Sequence, residues 1–510
     1  MTQPPLNVLF ITSDQQRGDC YGFEGRRVKT PHLDEMARAG TRFSAAITPN
    51  LVCQPSRCSI LTGLLPLTHG VSDNGIDLPE SFAEQGFART LTRGGYATAA
   101  IGKAHFNTSH TFAPTGTPEC RESSANYGPD WFGPYCGFDH VEMMLEGHNM
   151  WPPMAPPRGQ HYERWYHADG QGEARTRLYQ TKLAPFSDAH ETWNSALPVA
   201  WHNSTWIADR TIDFLRANRE GPFCVWASFP DPHHPFDAPE PWCYMHHPDA
   251  VDIPAHRELD LDRRPWWHRA SLEGKPKMAD ERLRRFREKS SRTPHQSEAQ
   301  LRTLIANYYG MISLIDHQVG RLRLALRDLG LADDTLIVYS TDHGDWLGDH
   351  GLLLKGPMAY EGLLRVGMLF EGPGVPAGKV VADPVSTLDL PATFCDYAGT
   401  ELPRPVHARS LRTLVEGDGE TRDFARSEWE LRASRCGVDL ALRTVRTKRH
   451  KLTLELNTGA GELYDLVEDP GEMENRFDDP AYAGVRRELS DMIASRPDDA
   501  CPPRPQVGMA

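Results

Sequence analysis

Two nearly continuous apolar runs, Leu6–Thr12 and Thr335–Thr341, constrain this chain more than any other feature. Neither shows the apolar–polar alternation of a half-exposed strand, so both read as strands buried on two faces of a parallel sheet. A parallel sheet needs helical crossovers, and the runs predict an α/β fold. Each run stops at ligand-type residues, Ser13-Asp14-Gln15-Gln16 and Asp342-His343-Gly344-Asp345. Open α/β sheets build their sites at these carboxyl ends. Asp14, Gln15, Asp342 and His343 offer three oxygens and one imidazole, a set suited to Ca²⁺, Mg²⁺ or Mn²⁺. Either pair alone reads equally well as a cap or turn after a strand; the two pairs together do not.

Cys53-Gln54-Pro55-Ser56-Arg57 supplies a possible nucleophile. Pro55 suits the first turn of a helix, Ile60, Leu61 and Leu64 continue the period, and Gly63 and Pro66 close it. Cys53 then lies at a helix N-terminus, where backbone N–H groups favour an anion. Arg57, four residues on, shares its face. The layout fits a tetrahedral anion attacked by residue 53, although a lone Cys is as often a packing residue.

Taken together, these segments resemble a type I sulfatase of the alkaline phosphatase superfamily. Cys53–Arg57 is similar to the C-x-P-S-R signature, and Asn7–Gln15 resembles the first strand and metal loop. Pro31-His32-Leu33-Asp34 through Gly40-Thr41-Arg42-Phe43 resembles the next helix. Gly102-Lys103-Ala104-His105 and Pro232-His233-His234-Pro235-Phe236 are similar to two site segments, and Thr341-Asp342-His343-Gly344 with Lys355 completes the set. The matches span nearly the whole chain. The resemblance implies an alkaline-phosphatase-like fold: a large, mostly parallel or mixed sheet flanked by helices in residues 1–400. A smaller α+β domain with an antiparallel sheet is expected in residues 401–510.

The resemblance also implies that a formylglycine-generating enzyme converts Cys53 to formylglycine, whose hydrated aldehyde attacks sulfur. A thiolate is a soft ligand, poorly matched to a hard cation among oxygen donors, and a diol removes that mismatch. The implied metal ligands are Asp14, Gln15, residue 53, Asp342 and His343, with Ca²⁺ expected and Mn²⁺ the alternative. Arg57, Lys103 and Lys355 would balance charge. His233 would protonate the leaving alkoxide, and His105 would deprotonate the second hydroxyl so that sulfate departs. Asn74 would donate a hydrogen bond to the substrate, although Asn74-Gly75 is first a turn signal. The expected reaction is sulfate monoester hydrolysis, with phosphonate monoester or phosphodiester hydrolysis as the alternative. Gln15 and His343, in place of the commoner Asp and Asn, keep that alternative open. A non-catalytic anion- or metal-binding protein is the third reading.

Composition narrows the partners. A formal net charge of -14 argues against nucleic acid, and no apolar segment is long enough for a bilayer span. Met1–Pro5 carries no basic n-region, which predicts a cytoplasmic location. The ten cysteines form no CxxC pair, so a zinc cluster is not expected, and Cys58 reads as a packing residue. Residues 107–190, including Trp151-Pro152-Pro153 and Trp165-Tyr166-His167, read as loops over the carboxyl edge that shape substrate choice. Arg257 to Arg292 reads as a solvated face. His450–Leu456 and Glu462–Leu466 read as a C-terminal hairpin. A homo-oligomer with an even number of subunits is the expected assembly.

Overall fold

A computed structural model describes residues 6–145, 152–290, 293–417, 419 and 422–509. The sequence readings that touch Met1–Pro5, Trp151 and Ser291–Arg292 lie outside these residues. Strands β1 (Asn7–Ser13), β2 (Thr41–Phe43), β3 (Ala97–Gly102), β4 (His140–Met143), β5 (Phe223–Ser228), β6 (Thr335–Thr341), β7 (Met368–Glu371) and β8 (Lys379–Val381) form one sheet. Their order is β8-β2-β7-β6-β1-β5-β3-β4, and β7 alone runs against the rest.

The two apolar runs, β1 and β6, pair side by side at the sheet centre, Asn7 opposite Thr335 and Ser13 opposite Thr341. Their side chains alternate between two cores. Val8, Phe10, Leu336 and Val338 face one side with Trp226 and Phe394. Leu9, Ile11, Ile337 and Tyr339 face the other with Trp206, Ile315 and Val319. Burial on both faces explains why no polar alternation survives in either run.

Helices α1 (Pro31–Ala39), α3 (Asn203–Ala217) and the 31-residue α4 (Glu298–Asp328) cover the second face. A capping box between Ser297 and Gln300 starts α4. On the first face lie α2 (Cys53–Thr62) and α5 (Leu390–Tyr397). Gly63, with φ 72°, closes α2 in the left-handed conformation. The helix expected from Pro31 through Phe43 is shorter than the sequence suggested. It stops at Ala39, and Thr41–Phe43 is strand β2. Gly40 marks the break because a β-carbon there would lie 1.9 Å from the Phe370 carbonyl oxygen.

Strands β9 (Ala425–Leu431), β10 (Leu440–Arg446), β11 (His450–Glu455) and β12 (Ala460–Asp465) form a separate antiparallel sheet in chain order. The turn between β11 and β12 passes through Gly459 at φ 74°. Helix α6 (Ala483–Ala494) packs Leu489 and Ile493 on Val445, Leu452 and Leu463. The opposite face meets Trp346, Tyr360 and Leu363 of the larger unit. Trp165-Tyr166-His167 does not form a substrate loop: it closes a helix over His161–His167, and Tyr162 and Tyr166 are buried against Trp206. The described part of the Arg257 to Arg292 stretch carries two α-helices and a 3-10 turn, yet the Arg264 and Arg287 side chains are buried rather than solvated. Among the described residues, no helix is long and apolar enough to cross a membrane.

Candidate active site

In-register strand ends assemble the site. Because Ser13 pairs with Thr341, Asp14 and Asp342 leave neighbouring strands at the same level. Ser228 pairs with Gly102 and with Thr12, so the segments that carry Lys103 and His233 emerge beside them. Helix α2 points its N-terminus at this edge. Single ligand atoms of Asp14, Cys53, Asp342 and His343 all lie within 4.8 Å of one another, and all four residues are buried.

Every side chain of the Cys53–Arg57 turn has a defined task. Cys53 Sγ lies 3.1 Å from His343 Nε2 and accepts from Lys355 Nζ at 2.9 Å. Gln54 accepts from Gly75 N–H and donates to the Ile76 and Phe106 carbonyls. Pro55 falls in the first turn, where its missing N–H is not needed. Ser56 donates to the Asp342 carbonyl at 2.7 Å, tying helix to strand end. Arg57 donates from Nε to Ala104 O at 2.7 Å and from Nη2 to Lys103 O and Ser228 Oγ. Its Nη1 lies 3.6 Å from Asp342 Oδ2. The Arg57 guanidinium therefore spans α2 and the Lys103 loop, with one nitrogen toward the Asp342 carboxylate.

Asn74 has a structural role that the sequence did not suggest. Val52, the helix cap position, has no capping hydrogen bond, and Asn74 Oδ1 accepts the Gln54 N–H at 3.1 Å instead. A residue 20 positions away thus caps α2.

The electrostatics follow from burial among close charges. Burial and the Cys53 charge push the Asp14 pKa up, but Lys103, His233 and Lys355 hold it well below the usual carboxylate range. Asp342 is pushed up to about 6 by burial and by Asp14. Burial opposes ionisation of Cys53, yet Lys355, Lys103 and His343 bring its pKa well below normal. Burial brings His105 down to about 4, and burial with Lys355 and His234 lowers His233 strongly. Two carboxylates within 4.8 Å repel by about 3.5 kcal/mol at an effective dielectric near 20.

The donors fit a hard divalent cation. Gln15 Nε2 donates to Asp345 Oδ2 at 2.6 Å, which leaves its amide oxygen as the free end. Gln15 Oε1 and Asp342 Oδ2 are both buried without a hydrogen bond. His343 Nδ1 donates to the Gly344 carbonyl at 2.8 Å, so Nε2 keeps its lone pair toward the cluster. Gln15 and His105 both adopt left-handed φ, 65° and 55°, a conformation that costs roughly 1–2 kcal/mol outside glycine.

A model of the sulfatase family matches residues 6–400. The chain belongs to the sulfatase family. A second model, of the N-sulphoglucosamine sulphohydrolase C-terminal region, matches residues 348–498 of this sulfatase. It is 28% identical over 501 residues to an arylsulfatase of Clostridium perfringens, covering 93% of this chain and 91% of the relative. The multifunctional alkaline phosphatase superfamily protein PehA of Trinickia caryophylli is 27% identical, covering 96% and 94%. The crystal structure of a phosphonate monoester hydrolase of Agrobacterium radiobacter superposes with a TM-score of 0.76 at 27% identity, covering 96% of this chain and 95% of that one. This sulfatase is a sulfuric ester hydrolase with an alkaline-phosphatase-like fold.

Three supporting residues escaped the sequence reading. Asp345 orients Gln15. Glu119 accepts the Phe106 and Asn107 N–H groups at 3.1 Å and the Tyr135 hydroxyl at 2.7 Å, clamping the turn that holds His105. His234 stacks on His233 with ring centres 4.3 Å apart and pairs with Glu191 at 2.7 Å. The Asp345 signal was readable in part, because it follows the Asp342-His343-Gly344 motif directly.

Proposed function

We propose that this sulfatase cleaves aryl or alkyl sulfate monoesters to alcohol and inorganic sulfate, with residue 53 as formylglycine and one divalent cation, Ca²⁺ or alternatively Mn²⁺. The observation that carries the reading is the convergence of Asp14, Asp342 and His343 around residue 53, with Lys355 2.9 Å from its Sγ. The hydrated aldehyde supplies an oxygen nucleophile, and the cation supplies Lewis-acid charge among oxygen donors that a thiolate would suit poorly. Asp14, Gln15, Asp342 and His343 would hold that cation.

The chain's own residues then manage charge and protons. Lys103 pairs with Asp14, so the ammonium offsets one carboxylate as a substrate anion enters. His233 donates from Nδ1 to the His234 carbonyl and faces Lys355 with Nε2 at 3.0 Å. A proton shared by Lys355 and His233 passes through Nε2 to the departing alkoxide as the sulfur–oxygen bond breaks. His105, neutral because it is buried, takes the proton from the second hydroxyl of residue 53. Asn74 turns its amide oxygen to Gln54, and its amide nitrogen is the end assigned to the substrate.

Phosphonate monoester or phosphodiester hydrolysis is the second reading, favoured by the likeness to the Agrobacterium phosphonate monoester hydrolase. Steady-state rates on matched aryl sulfate and aryl phosphonate esters test the choice. We expect the higher kcat/KM on sulfate; a phosphonate preference of orders of magnitude would reverse the assignment. Maturation by a formylglycine-generating enzyme and a cytoplasmic location belong to the same reading.

A further inference from the structure

The segment after α6 returns across the face of the larger unit. Cys501 N–H donates to Leu67 O at 2.8 Å, and Val507 N–H donates to Gly75 O at 2.7 Å. Met509 N–H donates to His110 O at 3.0 Å. Gln506 reaches two ways: its Nε2 donates to the Asn74 carbonyl at 2.7 Å, and its Oε1 accepts from Ser434 Oγ at 2.5 Å. Arg432 and Arg287 hold the Arg504 and Met509 carbonyls at 2.6 and 2.9 Å.

The fit is close enough to demand glycine on both sides. Gly75 sits at φ 86°, and a β-carbon there would lie 2.2 Å from the Gly508 carbonyl oxygen. A β-carbon on Gly508 would lie 2.4 Å from Thr108 Cγ2 and 2.6 Å from the His110 oxygen. The segment is wedged between the Asn74 turn, which caps α2, and the stretch that follows His105. The two family matches end at residues 400 and 498, so this segment lies beyond both.

We propose that residues 501–509 are a strap that positions the Asn74 turn, and through it the α2 N-terminus that presents residue 53, with Gln506 as its positioning residue. The catalytic consequence rests on the assignment of residue 53 as nucleophile; the mechanical one does not. Without the strap the turn loses the Gln506 and Val507 contacts and keeps Arg435 on Asp73 at 3.1 Å as an outside hold, and the Asn74 Oδ1 cap on Gln54 N–H loosens. A displacement of about 1 Å at a reacting group costs on the order of 10²-fold in rate.

The test compares the full chain with Gln506→Ala, with Gly508→Val and with a chain ended after Asp499. Val507→Ser is the control, since the Val507 side chain is 40% exposed. Hydrogen exchange is read at the Gln54 and Gly75 amides, alongside kcat and KM on an aryl sulfate. The strap predicts exchange at both amides at least about tenfold faster, kcat lower by about 10²-fold with KM changed far less, and partial recovery when a peptide of residues 500–510 is added to the shortened enzyme. A folded shortened enzyme with unchanged exchange and kcat overturns the proposal. If that chain does not fold, Gln506→Ala decides: unchanged exchange at Gln54 and Gly75 overturns it. An intact enzyme without sulfatase activity would defeat the functional reading while exchange still judged the strap.

Discussion

Replacing Arg57 with alanine tests whether this residue chiefly holds the site together or chiefly meets the substrate. The guanidinium is fully buried, bonded to the Ala104 and Lys103 carbonyls and the Ser228 hydroxyl, and lies 5.2 Å over the Trp226 ring. Arg57→Ala orphans two buried carbonyls, at about 1–3 kcal/mol each. It also leaves Asp342 without its nearest arginine, and removing one partner of a buried pair costs about 3–5 kcal/mol. These terms overlap, so we expect a loss of about 3–5 kcal/mol, a large share of the roughly 5–15 kcal/mol available to a folded protein. Arg57→Lys keeps the charge, loses the forked contact and should lose about half as much. Urea unfolding, followed by far-UV circular dichroism and by activity, reads the difference. An Arg57→Ala protein within about 1 kcal/mol of the parent yet inactive would refute the structural role and restore the substrate-charge reading.

Two further substitutions probe residues whose supporting roles only the structure revealed. Asp345→Asn should weaken Ca²⁺ or Mn²⁺ binding by about 10–100-fold in titration calorimetry, because Gln15 loses the acceptor that orients its amide; unchanged affinity would count against that orientation. Burial raises Glu119 from 4.5 to about 7. The stability it contributes is therefore complete below 4.5 and lost as pH rises through about 7. Glu119→Gln should flatten this part of the unfolding profile, and a slope equal to the parent's would contradict the clamp.

The parallel core was legible because two runs with no alternation can only be buried on both faces, and the strand ends then dictated where ligands go. The Cys53 helix was legible because its start, period and stop all lie within 14 residues of sequence. Sequence spacing says nothing about partners that meet through space. Asp345 meets Gln15 across 330 positions, and Gln506 meets Asn74 across 432. The reversal of β7 was unreadable for the same reason, since a buried four-residue strand has one pattern in either direction. Asn74 was ambiguous because a turn residue and a distant helix cap share one signature. Trp165 and Tyr166 misled because aromatic density marks core and cleft alike.

The most direct measurement is mass spectrometry of the peptide that contains residue 53, taken from enzyme whose sulfate release and metal content are measured on the same sample. Active protein should carry an aldehyde there, with about one bound divalent ion per chain. Full turnover by protein that keeps an unmodified thiol at this position would contradict the account.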